Sequence, residues 1–141
     1  MHDFENEIKA ARKLQEILDK EEGIQHNVTA IGQVSEVLQK NLYALPKRLL
    51  DGIYEKLEIL KSAGLDVERQ REIYAQYTEQ LKIVLQNIEK TDEQVTSMAG
   101  IEQVVQVLRD FLYMLAYIDY LKGEVDSMCR NYITMMGKLS P

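Results

Sequence analysis

Between Ile101 and Met136 runs a helical pattern that no fold of this chain can leave uncovered. Residues seven apart stack on one face of a helix, and three such columns adjoin here. They are Val104-Phe111-Ile118-Val125-Tyr132, Ile101-Leu108-Leu115-Lys122-Cys129-Met136 and Val107-Met114-Leu121-Met128-Met135. Together they make an apolar face roughly 100° or more wide, which must be buried against other elements. The opposite face carries Glu102, Arg109, Asp110, Glu124, Arg130 and Asn131. Between Phe111 and Leu121, however, it carries Tyr113, Ala116, Tyr117 and Tyr120. There the helix is apolar or aromatic almost all round, so it either lies inside a bundle or turns its tyrosines to a partner.

The rest of the chain supplies cover. From about Asp3 to Ala44, Ala10, Ile17, Ile24, Ile31, Leu38 and Leu45 recur every seventh residue. Leu14, Val28, Leu42 and Leu49 interleave with them, and Glu21 and Ser35 stand as polar gaps. The phase passes through Gly23 without slipping, which favours one long helix over 3–44, since glycine inside a helix costs about 1 kcal/mol; the alternative ends a helix at Gly23, with Ile24 as the apolar residue after a glycine cap. Pro46 marks a fresh start, because proline is accepted in a first turn and the residue before it avoids helical angles. A helix over 46–63 carries Leu49, Leu50, Ile53, Leu57 and Leu60 inward and ends at Ser62-Ala63-Gly64-Leu65-Asp66. There Gly64 suits the left-handed cap, Leu65 can touch Leu60, and Asp66 can cap the next helix. The third helix, over 66–98, turns Tyr74, Tyr77, Leu81, Val84, Leu85 and Ile88 inward. The hairpin into the last helix, 101–137, is placed at Ala99-Gly100, with a restart at Thr91 as the alternative. Gly137 to Pro141 read as a frayed tail.

No segment alternates with period two, so no strand is expected. The helices come out at roughly 42, 18, 33 and 37 residues, long for a compact globule. The fold class is all-α: a single helical domain over 1–141, built as an elongated antiparallel four-helix bundle or helical hairpins with coiled-coil-like packing. At 141 residues, 45% hydrophobic and 28% charged, the chain has enough material for a core without disulfides or metal. Its formal net charge of −6 and its scattered lysines and arginines argue against nucleic acid. Arg109, Asp110 and Asp119 interrupt the most apolar run, so no membrane span is expected. The N-terminus carries no apolar leader, and the lone Cys129 has no partner for a disulfide. A cytoplasmic location is expected.

Reactive constellations are few. The two histidines, His2 and His26, have no metal-ligand or triad partners at suitable spacing, and no glycine-rich phosphate loop occurs. The sequence therefore does not point to an enzyme, and no cofactor is expected. One enzymatic alternative rests on paired carboxylates. All-α nucleotide pyrophosphatases hold magnesium with acids at i, i+3 on facing helices, because octahedral Mg²⁺ demands several hard oxygen ligands. Glu55 with Glu58 and Glu89 with Asp92 have that spacing, though Lys56 and Lys61 flank the first pair as on an ordinary solvated face.

The tyrosines are the stronger lead. Tyr113, Tyr117 and Tyr120 fall at i, i+4, i+7, beside a column of Arg109, Ala116, Gly123 and Arg130 whose small members admit a close neighbour. Tyrosine offers large contact area at low entropy cost and is frequent at interface hot spots. These residues either pack against the first or third helix with their hydroxyls in water, or meet another chain. Met114, Met128, Met135 and Met136 are read as core filling. The function expected is a small acidic protein–protein interaction module: an adaptor, chaperone-like helper or structural subunit. Its partner would be another protein or itself, as a homodimer.

Overall fold

The structure is a computed structural model and describes residues 5–21, 44–91 and 98–139. Those residues form an all-α bundle of four helices: α1 (Glu5–Lys20), α2 (Leu45–Ser62), α3 (Glu68–Thr91) and α4 (Met98–Leu139). At 1.5 Å per residue α4 is about 63 Å long, and each of the other three packs against it. The apolar face from Val107 to Met136 is thus the spine of the bundle, with Phe111, Ile118, Val125 and Cys129 fully buried.

Each helix has a local cause. In α1, Glu5 and Glu7 favour the N-terminal end of the dipole and Lys20 the C-terminal end; Glu5 pairs with Lys9 at 3.5 Å across one turn. Its buried stripe is Ala11, Leu14 and Leu18. In α2, Pro46 sits in the first turn, and Leu45, Leu49, Leu50, Ile53, Leu57 and Leu60 are buried. The turn after it is a Schellman motif. Leu65 N–H donates to Leu60 C=O at 3.0 Å and Gly64 N–H to Lys61 C=O at 2.9 Å. Gly64 holds a φ of 90°, which a side chain would resist. Glu68 N–H then donates to Asp66 Oδ1 at 3.2 Å, capping the start of α3.

Side-chain pairs fix the directions of the helices. Glu58 meets Arg71, and Tyr54 meets Tyr74, so α2 and α3 run antiparallel. Gln70 meets Glu124 and Tyr77 meets Tyr117, which sets α3 antiparallel to α4. Tyr132 donates its hydroxyl proton to Glu7 C=O at 3.3 Å, while Glu21 reaches Lys122, so α1 also runs against α4.

The boundaries depart from expectation at the end of α1 and at both ends of α4, and Met98, expected to close the third helix, instead opens the fourth. The helix α1 ends at Lys20, and Glu21 closes it with an N–H bond to Leu18 C=O at 3.2 Å, so the long first helix does not continue unbroken from residue 3. Heptad spacing measured only which residues were apolar. It carried no signal for the turn at Glu21, whose N–H bonds three residues back instead of four. Gly23 and the part of that register from Ile24 to Leu42 lie outside the described residues. At the other end, α4 already begins at Met98, which places Ala99 and Gly100 inside a helix instead of a hairpin. One glycine in a first turn is a weak break beside the apolar face that follows. Finally, α4 runs on through Gly137 to Leu139. Of the methionines, Met114 and Met136 are buried and Met128 partly so, but Met135 is exposed.

Candidate functional site

The strip opposite the core face of α4 is open. Tyr113, Tyr117 and Tyr120 are 58%, 53% and 76% exposed, and Ala116 between them is also exposed. They stand outside because α1, α2 and α3 already fill the apolar columns on the other side. Tyr117 is the one that turns toward a neighbour: its ring stacks on Tyr77 of α3, centroids 6.1 Å apart and planes 24° apart. Beside it, Ile83 of α3 is 58% exposed. Gln80, Ile83, Val84, Asp110, Tyr113, Met114 and Tyr117 line a shallow groove of about 320 Å³ between α3 and α4. The groove therefore brings two of the four strip residues, Tyr113 and Tyr117, together with Ile83. Tyr117 leans on the third helix, Tyr113 lines the groove beside it, and Tyr120 is the most exposed of the three.

The carboxylate pairs do not converge. Glu55 is exposed, and Glu58 lies 3.6 Å from the Arg71 guanidinium. Tyr54 packs on Tyr74, so Glu55 stands at the level of Tyr74. Exposed Glu89 is then about 22 Å further along α3 at 1.5 Å per residue. Asp92 lies outside the described residues, as do His2 and His26. Among the described residues no group of three or more His, Cys, Asp or Glu is placed to hold a metal ion.

Under the strip lies a feature that sequence reasoning missed. Lys56 of α2 is completely buried, and its Nζ donates to Glu21 Oε2 and Asp126 Oδ1. Lys122 Nζ, also buried, donates to Asp126 Oδ2 at 2.7 Å and lies 3.2 Å from Glu21 Oε2. Two ammoniums and two carboxylates thus close a neutral quartet that ties the end of α1 to α2 and α4. Asp126 gives one oxygen to each lysine, and Glu21, 12% exposed, sits nearest to water. Gly52 makes room for it: a Cβ there would lie 2.7 Å from Glu21 Oε1. The expectation that Lys56 belongs to a solvated face is overturned. Its column is Leu49-Lys56-Ala63, on the buried side of α2.

The quartet shapes its own electrostatics. Burial opposes the Lys122 charge, but the hydrogen bond to Asp126 and the fields of Asp126 and Glu21 outweigh it, so its pKa is raised. One turn on, burial pushes the Cys129 thiol up to about 12; Lys56 opposes that rise, and Asp126 and Glu21 reinforce it. Such a thiol is a core hydrophobe and not a nucleophile. With every member ion-paired, the quartet is suited to holding helices in register.

The signal was present in the sequence as three charged residues at core spacing. Lys122 occupies the column of Leu115 and Cys129, Lys56 that of Leu49, and Glu21 that of Leu14. Opposite charges interrupting apolar columns on different helices are the mark of a buried ionic cluster. No helix among the described residues is long and apolar enough to cross a membrane. No protein-family model, no curated protein and no solved structure matches this chain.

Proposed function

We propose that this chain is a helical protein–protein interaction module, serving as an adaptor, chaperone-like helper or structural subunit of a complex. It acts by packing another polypeptide against Tyr113, Ala116, Tyr117 and Tyr120. The observation that carries this reading is the exposure of those tyrosines, which stand outside the core formed by the described residues. A strip of aromatic side chains continuous with Ile83 is large apolar area left in water, and such patches mark interaction sites. The quartet supports the same reading by giving α4 a fixed setting, since a rigid helix presents its outer face at little ordering cost. The module is read as cytoplasmic, where its single cysteine stays reduced.

The test is a photo-crosslinking residue placed at position 120, and for comparison at exposed Glu16 of α1, in cells that make the protein. A discrete polypeptide adduct is expected from position 120, absent from position 16 and lost on Tyr117→Glu. If position 120 yields no adduct, or the two positions yield the same ones, the strip is not a binding surface.

A further inference from the structure

We propose that α2 and α4 together form a carboxylate-binding site, and that Glu21, at the end of α1, occupies it as a ligand carried on the same chain. The site is separate from the tyrosine strip and independent of what that strip meets.

Charge gives the first argument. Lys56, Lys122 and Asp126 belong to α2 and α4 and are 0%, 2% and 1% exposed. Lys122 lies one turn from Asp126 and takes one of its oxygens, while Lys56 reaches the other from α2. Without Glu21 these three groups carry a net charge of +1, because two ammoniums share one carboxylate. A buried excess of positive charge is costly until an anion meets it. One further carboxylate neutralises the set.

Space gives the second. Glu21 presents Oε2 to both ammoniums, to Lys56 directly and to Lys122 at 3.2 Å. Its Oε1 lies over Gly52, one turn before Lys56, where a Cβ would come within 2.7 Å. Gly52 has an ordinary helical backbone, since the positive φ among the described glycines belongs to Gly64. Backbone conformation therefore does not call for glycine at position 52, and in a helix interior glycine costs about 1 kcal/mol. What its lack of a side chain provides is a hollow for a carboxylate oxygen beside the two ammoniums.

The way in gives the third. Glu21 follows the last residue of α1 and is 12% exposed, the outermost of the four groups. Its carboxylate thus enters a site made by two other helices from the side nearest water, as a free ligand would. Tethering gives it a high effective concentration, which keeps the site filled in the intact chain.

The test is to empty the site and refill it. Glu21→Ala removes the heavy-atom skeleton of acetate, so acetate is the probe. Thermal melts near neutral pH, followed by circular dichroism, compare sodium acetate with sodium chloride at equal ionic strength. Acetate should raise the Tm of Glu21→Ala above its value in chloride. At ten times its Kd it should multiply the folded-to-unfolded ratio about elevenfold. If the variant is unfolded in chloride, acetate should restore its helical signal. The unsubstituted chain and Glu21→Gln, whose sites stay filled, should respond to the two salts alike. Adding Lys122→Met to Glu21→Ala removes the excess charge, and adding Gly52→Ala fills the hollow; each should abolish the acetate response. The proposal is overturned if Glu21→Ala gains nothing from acetate beyond chloride. It is overturned equally if Glu21→Gln or the Lys122→Met double variant gains as much.

Discussion

Asp126→Asn is the most informative single change in this molecule. The side chain keeps its shape but loses its charge, and its amide nitrogen cannot accept a proton donor. Of the two ammoniums that Asp126 now serves with separate oxygens, one loses its bond. The quartet passes from neutral to a net charge of +1, with Lys56 and Lys122 left to share Glu21 at the edge of the core. Removing one partner of a buried ion pair costs about 3–5 kcal/mol, and Glu21 keeps this case near the lower end. At about 3 °C per kcal/mol for a chain of this size, Tm should fall by roughly 10 °C. Urea unfolding and thermal melts at pH 7, followed by circular dichroism, measure both quantities. Glu21→Gln should cost less, because Asp126 retains one oxygen for each lysine. Lys122→Met with Asp126→Leu should recover much of the loss, since it leaves the neutral Glu21–Lys56 pair in a more apolar core. If Asp126→Asn costs under about 1 kcal/mol, the size of an exposed pair, or costs less than Glu21→Gln, the reasoning fails.

Two further outcomes test the same region. Gly52→Ala should destabilise by about 1 kcal/mol in urea, although glycine to alanine inside a helix ordinarily gains about that much, because the new Cβ would meet Glu21 Oε1 at 2.7 Å. In a Glu21→Ala background the same substitution should become stabilising; loss in both backgrounds would show that Glu21 is not the obstacle. Stability should also decline between about pH 9 and pH 12. The Cys129 thiol ionises near 9 when unfolded but is pushed up to about 12 when folded, so above pH 9 the unfolded chain releases a proton that the folded one keeps. Lys122 and Tyr132 are raised as well, the tyrosine by burial and then Glu7, and both act in the same direction. Urea midpoints at pH 8 and pH 10.5 measure the decline, and an equal midpoint at both would refute it.

The helical class, the Gly64 turn and the role of α4 were legible in the sequence because each depends on local spacing or on one backbone conformation. The end of α1 was not. Its heptad phase described which residues are apolar, and that phase is blind to the turn at Glu21. Lys56 misled for a related reason: its sequence neighbours Glu55 and Glu58 are surface acids, and only the column through Leu49 reveals which way it points. The tyrosine strip was legible as a strip. Its division between Tyr117, stacked on Tyr77, and the outward Tyr113 and Tyr120 was not, since that depends on where α3 crosses α4.

The quartet also bears on the order of folding. The two ion pairs of Lys56 span 35 and 70 positions and cannot both form until α1, α2 and α4 have met, whereas Lys122–Asp126, one turn apart, needs only α4. Until then the four charges remain hydrated, with nothing to gain from leaving water. The α2–α3 hairpin, closed by the Gly64 turn, needs only neighbouring residues and forms early. The quartet should therefore have φ-values near zero. Asp126→Asn would leave the folding rate almost unchanged and place nearly its whole effect on unfolding, which it would speed by roughly a hundredfold for 3 kcal/mol. The buried charges act as a lock that engages after the helices have closed, and what they govern is how long the closed state lasts.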